Sequence, residues 1–349
     1  MRAVSRPLES PPDLNDVARG DGVLFVRDGV GVAGRGIAAR VPIDDVPAFL
    51  AAIDHHDATG GVSPGPLALG SVPFVPGAPA ELVVPAVVVG KGADGRAWVT
   101  TIDAADEQLE PPAPPVPSAA SYELAPAVDP AHYLAAVAAA RDAVARGRLA
   151  KAVIARPVTI TCDQPIDVHA VLHRLKASFG SSYRYSVDGL IGASPELLVA
   201  VEGDVVRSHP LAGTAPRTGD LDNDRRLADE LVASTKNQIE HRVVIEMVHD
   251  TLLPWVSYLD WQPEPTIVTV ANVQHLGSAV EGRLSQPQPN VLELVRALCP
   301  TPALGGHPRD EALALIADVE GFERGRYGGA VGWVDARGNG TWAVTIRCA

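Results

Sequence analysis

Short runs of apolar residues dominate the first third of the chain, and they have the length and composition of β-strands. The clearest of them cover residues 22–26, 81–90 and 97–102, between segments rich in Gly and Pro. Apolar runs of this length that are bounded by turn residues predict strands. Between residues 42 and 54 the spacing instead predicts one short helix. The N-terminal part is therefore expected to be mostly β-structure.

From residue 129 onward the apolar positions follow helical spacing in several longer stretches. The first begins at Asp129-Pro130, an N-cap acid followed by Pro at the first helical position, and it ends before Gly147. The same reasoning predicts further helices over residues 167–179, 222–253 with a break near Ser234, 290–298 and 309–318. These helices are separated by strand-like runs, so the two kinds of element are interleaved.

The strand-like runs of the second part come in neighbouring pairs. Residues 183–187 and 190–201 flank Asp188-Gly189, and residues 327–334 and 341–348 flank a segment that contains Asn339-Gly340. Such dipeptides allow the positive φ of tight hairpin turns. Further strands are predicted at residues 149–156, 158–161, 205–206 and 266–273. Paired antiparallel strands among helices indicate an α+β fold.

A Pro-rich segment, Pro111-Pro-Ala-Pro-Pro-Val-Pro117, divides the chain. Pro removes a backbone donor and fixes φ, so this segment is expected to be stiff and extended. It separates an N-terminal subregion, residues 1–118, from a C-terminal region, residues 128–349, that carries the candidate chemistry. We expect both to form one structural unit over residues 1–349.

Charge and composition narrow the classes of partner. The formal net charge is −13 with no compensating basic run, which argues against nucleic acid and membrane surfaces as partners. No stretch has the length of a transmembrane helix, and the first residues lack a signal-peptide core. Cys162, Cys299 and Cys348 lack metal-type spacing and are expected to be free thiols. These features predict a cytoplasmic protein that acts on a small molecule, and we expect a monomer.

The heptad Ser208-His-Pro-Leu-Ala-Gly-Thr214 has the features of a turn that could hold an anion. It follows a strand-like run and precedes a polar helix. Gly213 lets the backbone approach a ligand closely, and Thr214 offers a hydroxyl beside backbone N–H groups. A simple loop with a glycine is the plainer interpretation of such a heptad.

Two residues are candidates for proton transfer. The chain has 25 Arg and 4 Lys, and Lys151 begins a strand; a lysine can act as a base if its pKa is depressed, which an arginine cannot. The alternative is a solvated strand-end lysine. Glu196 lies in the apolar run Gly192-Ala-Ser-Pro-Glu-Leu-Leu198, where burial would raise its pKa and suit it to general-acid work. The alternative is an edge-strand glutamate that faces water.

Four further side chains could bind a metal or an anion. Glu240 lies on an amphipathic helical stretch, and a lone carboxylate that keeps several waters suits Mg²⁺; a surface glutamate is the commoner case. His275 follows an apolar strand and is as well explained by a core histidine. Arg347 could grip a carboxylate with two parallel hydrogen bonds, or could be an edge charge. Tyr327 could donate its hydroxyl to the same carboxylate or fill the core.

The order of several motifs resembles that of the chorismate-utilising enzymes, and most closely the isochorismate synthases among them. The motifs are KAVIAR, GASPELL, HPLAGT, KNxxEH, QHL, PTPALGG, RYGGAVGW and TIRCA, and they span about residues 128–349. The resemblance implies an α+β fold of two packed antiparallel β-sheets flanked by helices. It also implies chorismate as substrate and Mg²⁺ as cofactor.

The resemblance assigns roles to the candidate residues. Lys151 is similar to the general base that activates water for attack at ring carbon C2, and Glu196 to the acid that protonates the departing C4 hydroxyl. Glu240 matches a Mg²⁺ ligand. The remaining matched positions would bind the substrate, with the ring carboxylate held near Gly213, Thr214 and His275, the enolpyruvyl carboxylate by Tyr327 and Arg347, and the pocket lined by Ala212, Ala303 and Leu304.

Two positions distinguish the reactions of the resembled family. One type of aminodeoxychorismate synthase has a nucleophilic lysine where Ala212 stands, and anthranilate synthases have Gln at the position of Lys151 and use ammonia. The combination found here therefore predicts water as nucleophile. Salicylate synthases share both features and then eliminate pyruvate. The pocket loop, residues 300–306, resembles the isochorismate synthase version, so we expect isochorismate, for siderophore or menaquinone biosynthesis.

The sequence departs from the resembled family in two places. Relatives continue past the position of Ala349 with a Gly-rich strand and a helix that supply a second Mg²⁺ glutamate and a lysine. Asn237 stands where relatives often have an acid that supports metal-bound water. The departures predict weak or absent Mg²⁺ binding, and they raise the alternative of a catalytically impaired chorismate-binding protein.

Overall fold

The structure of the protein is a computed structural model, and it describes residues 1–103 and 121–349. The Pro-rich segment that the sequence analysis placed between the two parts of the chain lies outside the described residues. The described residues form two large β-sheets, three small sheets and helices on their outer faces.

The first large sheet is antiparallel except at one edge. Its strands, in spatial order, are β14 (Leu190–Ser194), β13 (Tyr183–Val187), β2 (Val23–Arg27), β3 (Val30–Arg35), β8 (Val87–Lys91), β9 (Ala97–Ile102), β1 (Arg2–Leu8) and β5 (Asp54–Asp57). Only the pair β1–β5 is parallel among the pairings described for this sheet.

The second large sheet is antiparallel in all its described pairings. Its strands, in spatial order, are β18 (Val256–Trp261), β21 (Val280–Leu284), β16 (Val205–His209), β15 (Leu197–Glu202), β24 (Gly340–Val344), β23 (Ala330–Asp335), β6 (Leu67–Val72), β7 (Glu81–Val84) and β4 (Ala39–Pro42). Both large sheets therefore combine strands from before and after the Pro-rich segment.

Three small sheets complete the β-structure. They consist of β10 (Tyr122–Pro126) with β12 (Val158–Cys162), of β11 (Lys151–Ala152) with β22 (Gly306–His307), and of β17 (Leu211–Pro216), β20 (Val273–Gly277) and β19 (Thr266–Thr269). The last two of these sheets carry residues that the sequence analysis placed at the site.

Several helices begin where local capping signals predict. The helices are α1 (Leu14–Ala18), α2 (Val46–Ala51), α3 (Pro130–Ala145), α4 (Val168–Phe179), α5 (Leu221–Ala233), α6 (Thr235–Leu252), α7 (Val291–Leu298) and α8 (Arg309–Val319), with a 3-10 turn at Leu253–Trp255. Asp129 caps α3, Asp167 caps α4, and Asn290 forms a capping box with Glu293 at α7. The predicted break near Ser234 is real, because this residue ends α5 and caps α6.

The two large sheets pack against each other through apolar side chains. One buried cluster joins Phe25 and Tyr185 of the first sheet to Leu69, Val331 and Ala343 of the second. A second, larger cluster lies between the second sheet and α2, α6 and α7, with Trp342 fully buried. The predicted α+β class with two packed, mainly antiparallel sheets is confirmed.

Several local predictions were wrong, and three of them concern the candidate site. The run at residues 149–156 is a strand only at Lys151–Ala152, and residues 190–201 form two strands, separated at Pro195 and Glu196. The heptad at residues 208–214 is not a simple turn, because after Pro210 the chain enters β17. Pro lacks the N–H that continuous pairing would need, whereas the residues after it pair with β20.

None of the helices in the described part of the chain combines the length and apolar character needed to cross a membrane. The three cysteines are unpaired thiols, as predicted.

Candidate active site

Lys151 is the first residue of a two-residue strand that pairs with β22, at the end of the pocket loop. Backbone bonds from Ala150 N–H to the His307 carbonyl (2.8 Å) and from Val153 N–H to the Gly305 carbonyl (2.9 Å) flank the strand. The Lys151 side chain is 12% exposed, and its Nζ lies 3.0 Å from Oε1 of Glu240. Lys151 is thus a nearly buried amine with a carboxylate partner, rather than a solvated strand end.

Glu240 extends from α6, and its side chain is 30% exposed. The next residue, His241, is buried and contacts the Ser278 hydroxyl through Nε2 at 3.1 Å. Burial, aided by nearby His209 and Lys151, lowers the pKa of His241 to about 4. Because this pKa keeps His241 neutral near pH 7, it adds no charge beside the ion pair of Glu240 and Lys151.

Glu196 occupies the bend between β14 and β15, where Pro195 interrupts the pairing. It is 2% exposed, and one carboxylate oxygen accepts a long hydrogen bond of 3.4 Å from Leu211 N–H. Burial raises the pKa of Glu196 to about 7, although the Leu211 N–H and the charges of Lys151 and Arg347 oppose the rise. A carboxyl group with this pKa is suited to donate a proton near neutral pH.

A β-bulge at Gly213 shapes the next wall of the site. The pairing of β17 with β20 shifts register between Ala212 and Thr214, and Gly213 has φ +76°. A Cβ at Gly213 would lie 3.3 Å from the Cβ of Asn237, so glycine meets both a conformational and a spatial need. Ala212, beside the bulge, is 7% exposed.

His275 connects the bulge to Arg347. Its Nε2 lies 2.6 Å from Nη2 of Arg347, and its Nδ1 lies 3.0 Å from the Thr214 hydroxyl and 3.2 Å from the Gly213 carbonyl. Burial and the Arg347 charge lower the pKa of His275 to about 4. The guanidinium can only donate, so Nε2 accepts and the proton sits on Nδ1, where the Gly213 carbonyl and the Thr214 hydroxyl oxygen both lie within accepting distance.

Arg347 has one guanidinium nitrogen, Nη1, that is not used in the contact with His275. Its Nη1 is buried and has no hydrogen-bond partner within the described residues. A buried unpartnered N–H costs free energy unless a ligand supplies the acceptor. Arg347 has φ +52° and follows β24 rather than closing a strand as predicted. Because Nη1 has no partner, it can donate a hydrogen bond to an anionic ligand.

Tyr327 and the pocket loop form the side of the site next to Lys151. Tyr327 is 37% exposed, so it does not fill the core, and the following Gly328 N–H donates to the Thr345 carbonyl at 2.8 Å. A Cβ at Gly328 would lie 3.6 Å from the Cβ of Leu304, which places the two segments side by side. Ala303 precedes Leu304 in the same loop and is half-buried.

A buried ion pair that sequence reasoning missed supports this region. Glu320 and Arg324 are 3% and 8% exposed, and Arg324 Nε donates to Glu320 at 2.8 Å. Arg324 also donates to the carbonyls of Leu304 (2.8 Å) and Val153 (2.6 Å). Glu320 accepts from Ala155 N–H at 2.7 Å. The i,i+4 spacing of the pair was a visible signal, but such spacing is common on exposed helices.

The candidate residues therefore converge on one region. Lys151 pairs with Glu240 directly, Glu196 feels the charges of Lys151 and Arg347, and His275 bonds Arg347 and Thr214. Glu240 offers one carboxylate of the kind that binds Mg²⁺, an ion that takes one or two carboxylates and completes its shell with water and substrate oxygens. The arrangement brings a buried carboxyl group, a nearly buried amine and an unpartnered guanidinium N–H into one region.

Comparison with known proteins identifies the family of the chain. The family model described as chorismate binding enzyme matches residues 69–349. The isochorismate synthase DhbC of Bacillus subtilis is 37% identical over 295 residues, which cover 81% of this chain and 71% of that protein. The isochorismate synthase EntC of Escherichia coli K12 is 41% identical over 218 residues, or 61% of this chain and 56% of that protein.

A solved structure supports the fold. MenF, the menaquinone-specific isochorismate synthase from Escherichia coli, superposes with a TM-score of 0.81 at 22% identity, covering 100% of this chain and 85% of that one. The resemblance identified in the sequence is thereby confirmed. Because the family model matches most of the chain and similar relatives reach 41% identity, the chain belongs to the chorismate binding enzyme family.

Proposed function

We propose that this protein is an isochorismate synthase, which converts chorismate into isochorismate for siderophore or menaquinone biosynthesis. Family membership and relatives named as isochorismate synthases support chorismate as substrate. The observation that carries the choice of reaction is the pair of residues Lys151 and Ala212: the site holds a nearly buried amine at the first position and no amine at the second.

In the proposed reaction, Lys151 and Glu196 divide the proton transfers. Lys151 takes a proton from water as the water oxygen attacks ring carbon C2. The ring double bonds shift, and the C4 hydroxyl leaves as water after it accepts a proton from Glu196. A Glu196 pKa of about 7 keeps a large fraction of this carboxyl protonated at neutral pH.

The ion pair with Glu240 affects whether Lys151 can accept a proton. An ammonium that donates to a carboxylate has no lone pair with which to accept a proton. In the proposed role, Lys151 must therefore be neutral when water attacks, with its own proton already released to solvent. Glu240 is the residue that would hold Mg²⁺, which would neutralise the ring carboxylate of the substrate.

The two substrate carboxylates have complementary groups. The unpartnered Nη1 of Arg347 and the half-exposed Tyr327 suit the enolpyruvyl carboxylate. Gly213 and Thr214, at the bulge, suit the ring carboxylate, and His275 holds both Arg347 and Thr214 in place. Ala303 and Leu304 would line the pocket beside Lys151.

A product assay tests the proposal. The protein is incubated with chorismate and Mg²⁺, and the products are separated chromatographically. Isochorismate as the main product supports the proposal. Salicylate with pyruvate would overturn it in favour of salicylate synthase, and saturable chorismate binding without turnover would overturn it in favour of a binding protein.

A further inference from the structure

A second cluster of potential ligand atoms lies outside the candidate active site. Asp16 of α1 meets His169 and His173, which are one helical turn apart on α4. The Nε2 atoms of His169 and His173 lie 2.8 and 2.9 Å from the same oxygen, Oδ1 of Asp16, and 3.1 Å from each other. The three atoms thus form a compact triangle.

As long as Asp16 carries no proton, protons on the two rings cannot satisfy all three contacts. If both rings carry hydrogen on Nε2, both donate to Asp16, but two N–H groups then face each other at 3.1 Å. If one ring instead accepts from the other, its lone pair is directed toward the carboxylate oxygen. Each tautomer therefore leaves one repulsive contact.

A metal ion resolves the conflict, because all three atoms can then present lone pairs to it. Zinc binds imidazole nitrogen and carboxylate oxygen at about 2.0–2.2 Å in tetrahedral geometry, which places neighbouring ligand atoms about 3.3 Å apart. The observed separations of 2.8, 2.9 and 3.1 Å are only a few tenths of an ångström shorter. The geometry points to a Zn²⁺ site formed by Asp16, His169 and His173.

The surroundings leave room for a fourth ligand. The side chains of Asp16, His169 and His173 are 34%, 21% and 42% exposed, so water can complete the shell. Next to the cluster, Lys176 of α4 forms an ion pair with Asp13, the residue that caps α1. The metal would thus strengthen an existing connection between α1 and α4.

The position of the two helices assigns the site a stabilising role. α1 lies against β2 and β3, and α4 packs against β13 and β14, all in the first large sheet. An ion shared by α1 and α4 would clamp residues from before and after the Pro-rich segment. β14 leads directly to Glu196, so the clamp would also support the strand that presents this residue.

Titration of the metal-stripped, full-length protein with Zn²⁺ alone tests the inference. We expect one tight equivalent by calorimetry and a thermal unfolding midpoint that rises by a few degrees when Zn²⁺ is added. Asp16→Asn, nearly isosteric, and His169→Ala should each weaken this binding by about tenfold or more. His56→Ala, at an exposed histidine outside the cluster, should bind Zn²⁺ like the wild type.

Two measurements distinguish Zn²⁺ binding at this cluster from binding at the candidate active site and from the effects of a misfolded variant. Glu240→Gln should leave Zn²⁺ binding intact, whatever its effect on chorismate turnover. In the wild type, NMR of ¹⁵N-labelled histidine should show two of the ten side chains shifting together with Zn²⁺. Absence of saturable binding, shifts at other histidines, or unchanged binding in a folded Asp16→Asn variant would overturn the inference.

Discussion

Lys151 Nζ lies 3.0 Å from Glu240 Oε1, although the two residues belong to a two-residue strand and to a distant helix. The pair places the lysine amine next to the residue proposed to hold the metal. A cation bound by Glu240 would therefore compete with Lys151 for the same carboxylate. In the proposed function, the same carboxylate would pair with Lys151 in the free protein and bind Mg²⁺ in the loaded one.

We expect Lys151→Ala to lower kcat for isochorismate formation by about 10²- to 10⁴-fold, the usual contribution of a positioned proton-transfer group. Lys236→Ala is the matched control, since Lys236 is exposed and lies one turn before Glu240 on the same helix. Steady-state kinetics with chorismate measure both variants. Near-normal turnover by Lys151→Ala would remove this residue from the role of base.

The pH dependence of activity should follow the ionisation of the Glu196 carboxyl group. The reaction needs its protonated form, and its pKa of about 7 places the loss of that form just above neutrality. We expect kcat/KM to fall about tenfold per pH unit on the alkaline side of pH 7. A pH profile of kcat/KM measures this, and a profile that stays level well above pH 8 would contradict the role of Glu196 as acid.

The stability of the fold should respond to the same carboxyl group with a definite sign. The folded pKa of Glu196, about 7, exceeds the reference of 4.5, so its stabilising contribution is complete below pH 4.5 and is lost as pH rises to 7. Relative to wild type, Glu196→Gln should gain on the order of 3 kcal/mol in unfolding free energy over this interval.

Urea unfolding of both proteins at several pH values measures the gain in Glu196→Gln. Taking the difference between the two proteins removes the common contributions of His241 and His275, whose folded pKa values are both about 4. Parallel stability curves for the two proteins would show that the Glu196 carboxyl is not buried as described.

Ala212→Lys should abolish isochorismate formation, because an amine would then compete with water near C2. Ala212 is 7% exposed, so bulk alone could also harm the site. Ala212→Met provides a side chain of similar length without the amine, and we expect it to keep measurably more activity. Equal, undiminished activity of a folded Ala212→Lys variant would show that this residue does not face the ring.

Breaking the buried pair Glu320–Arg324 should destabilise the protein strongly. Arg324→Met leaves the Glu320 carboxylate buried without its partner, which costs about 3–5 kcal/mol. Arg226→Met removes the exposed i,i+4 pair with Glu230 and should cost at most about 0.5 kcal/mol. Denaturant unfolding compares the two variants, and equal effects would contradict a special role for the buried pair.

Local signals explain which elements could be predicted from the sequence. The helices α3, α4 and α7 have their caps within a few residues of their first turns, so adjacent residues contain the information. The final hairpin has its turn signal between its own strands. The resemblance of motif order then indicated the two-sheet fold and the residues of the site.

Contacts between distant segments explain what could not be predicted. Lys151 has only two residues of regular strand, because β22 of the pocket loop limits its pairing. The strand β17 follows from pairing with β20, some sixty residues later, although Pro210 suggested a turn. The partners of Glu320 are Arg324 and the backbone of Ala155, and sequence spacing alone does not show that the pair is buried.

The carbonyls bound by Arg324 belong to the base-bearing segment, at Val153, and to the pocket loop, at Leu304. One guanidinium therefore sets the spacing between the segment that carries Lys151 and the pocket loop. Loop changes made to redirect the outcome of the reaction would also displace the amine unless the Leu304 carbonyl kept its place. Under the proposed function, new specificity would evolve most easily through side chains such as Ala303, which would change the pocket without moving the Leu304 carbonyl that Arg324 binds.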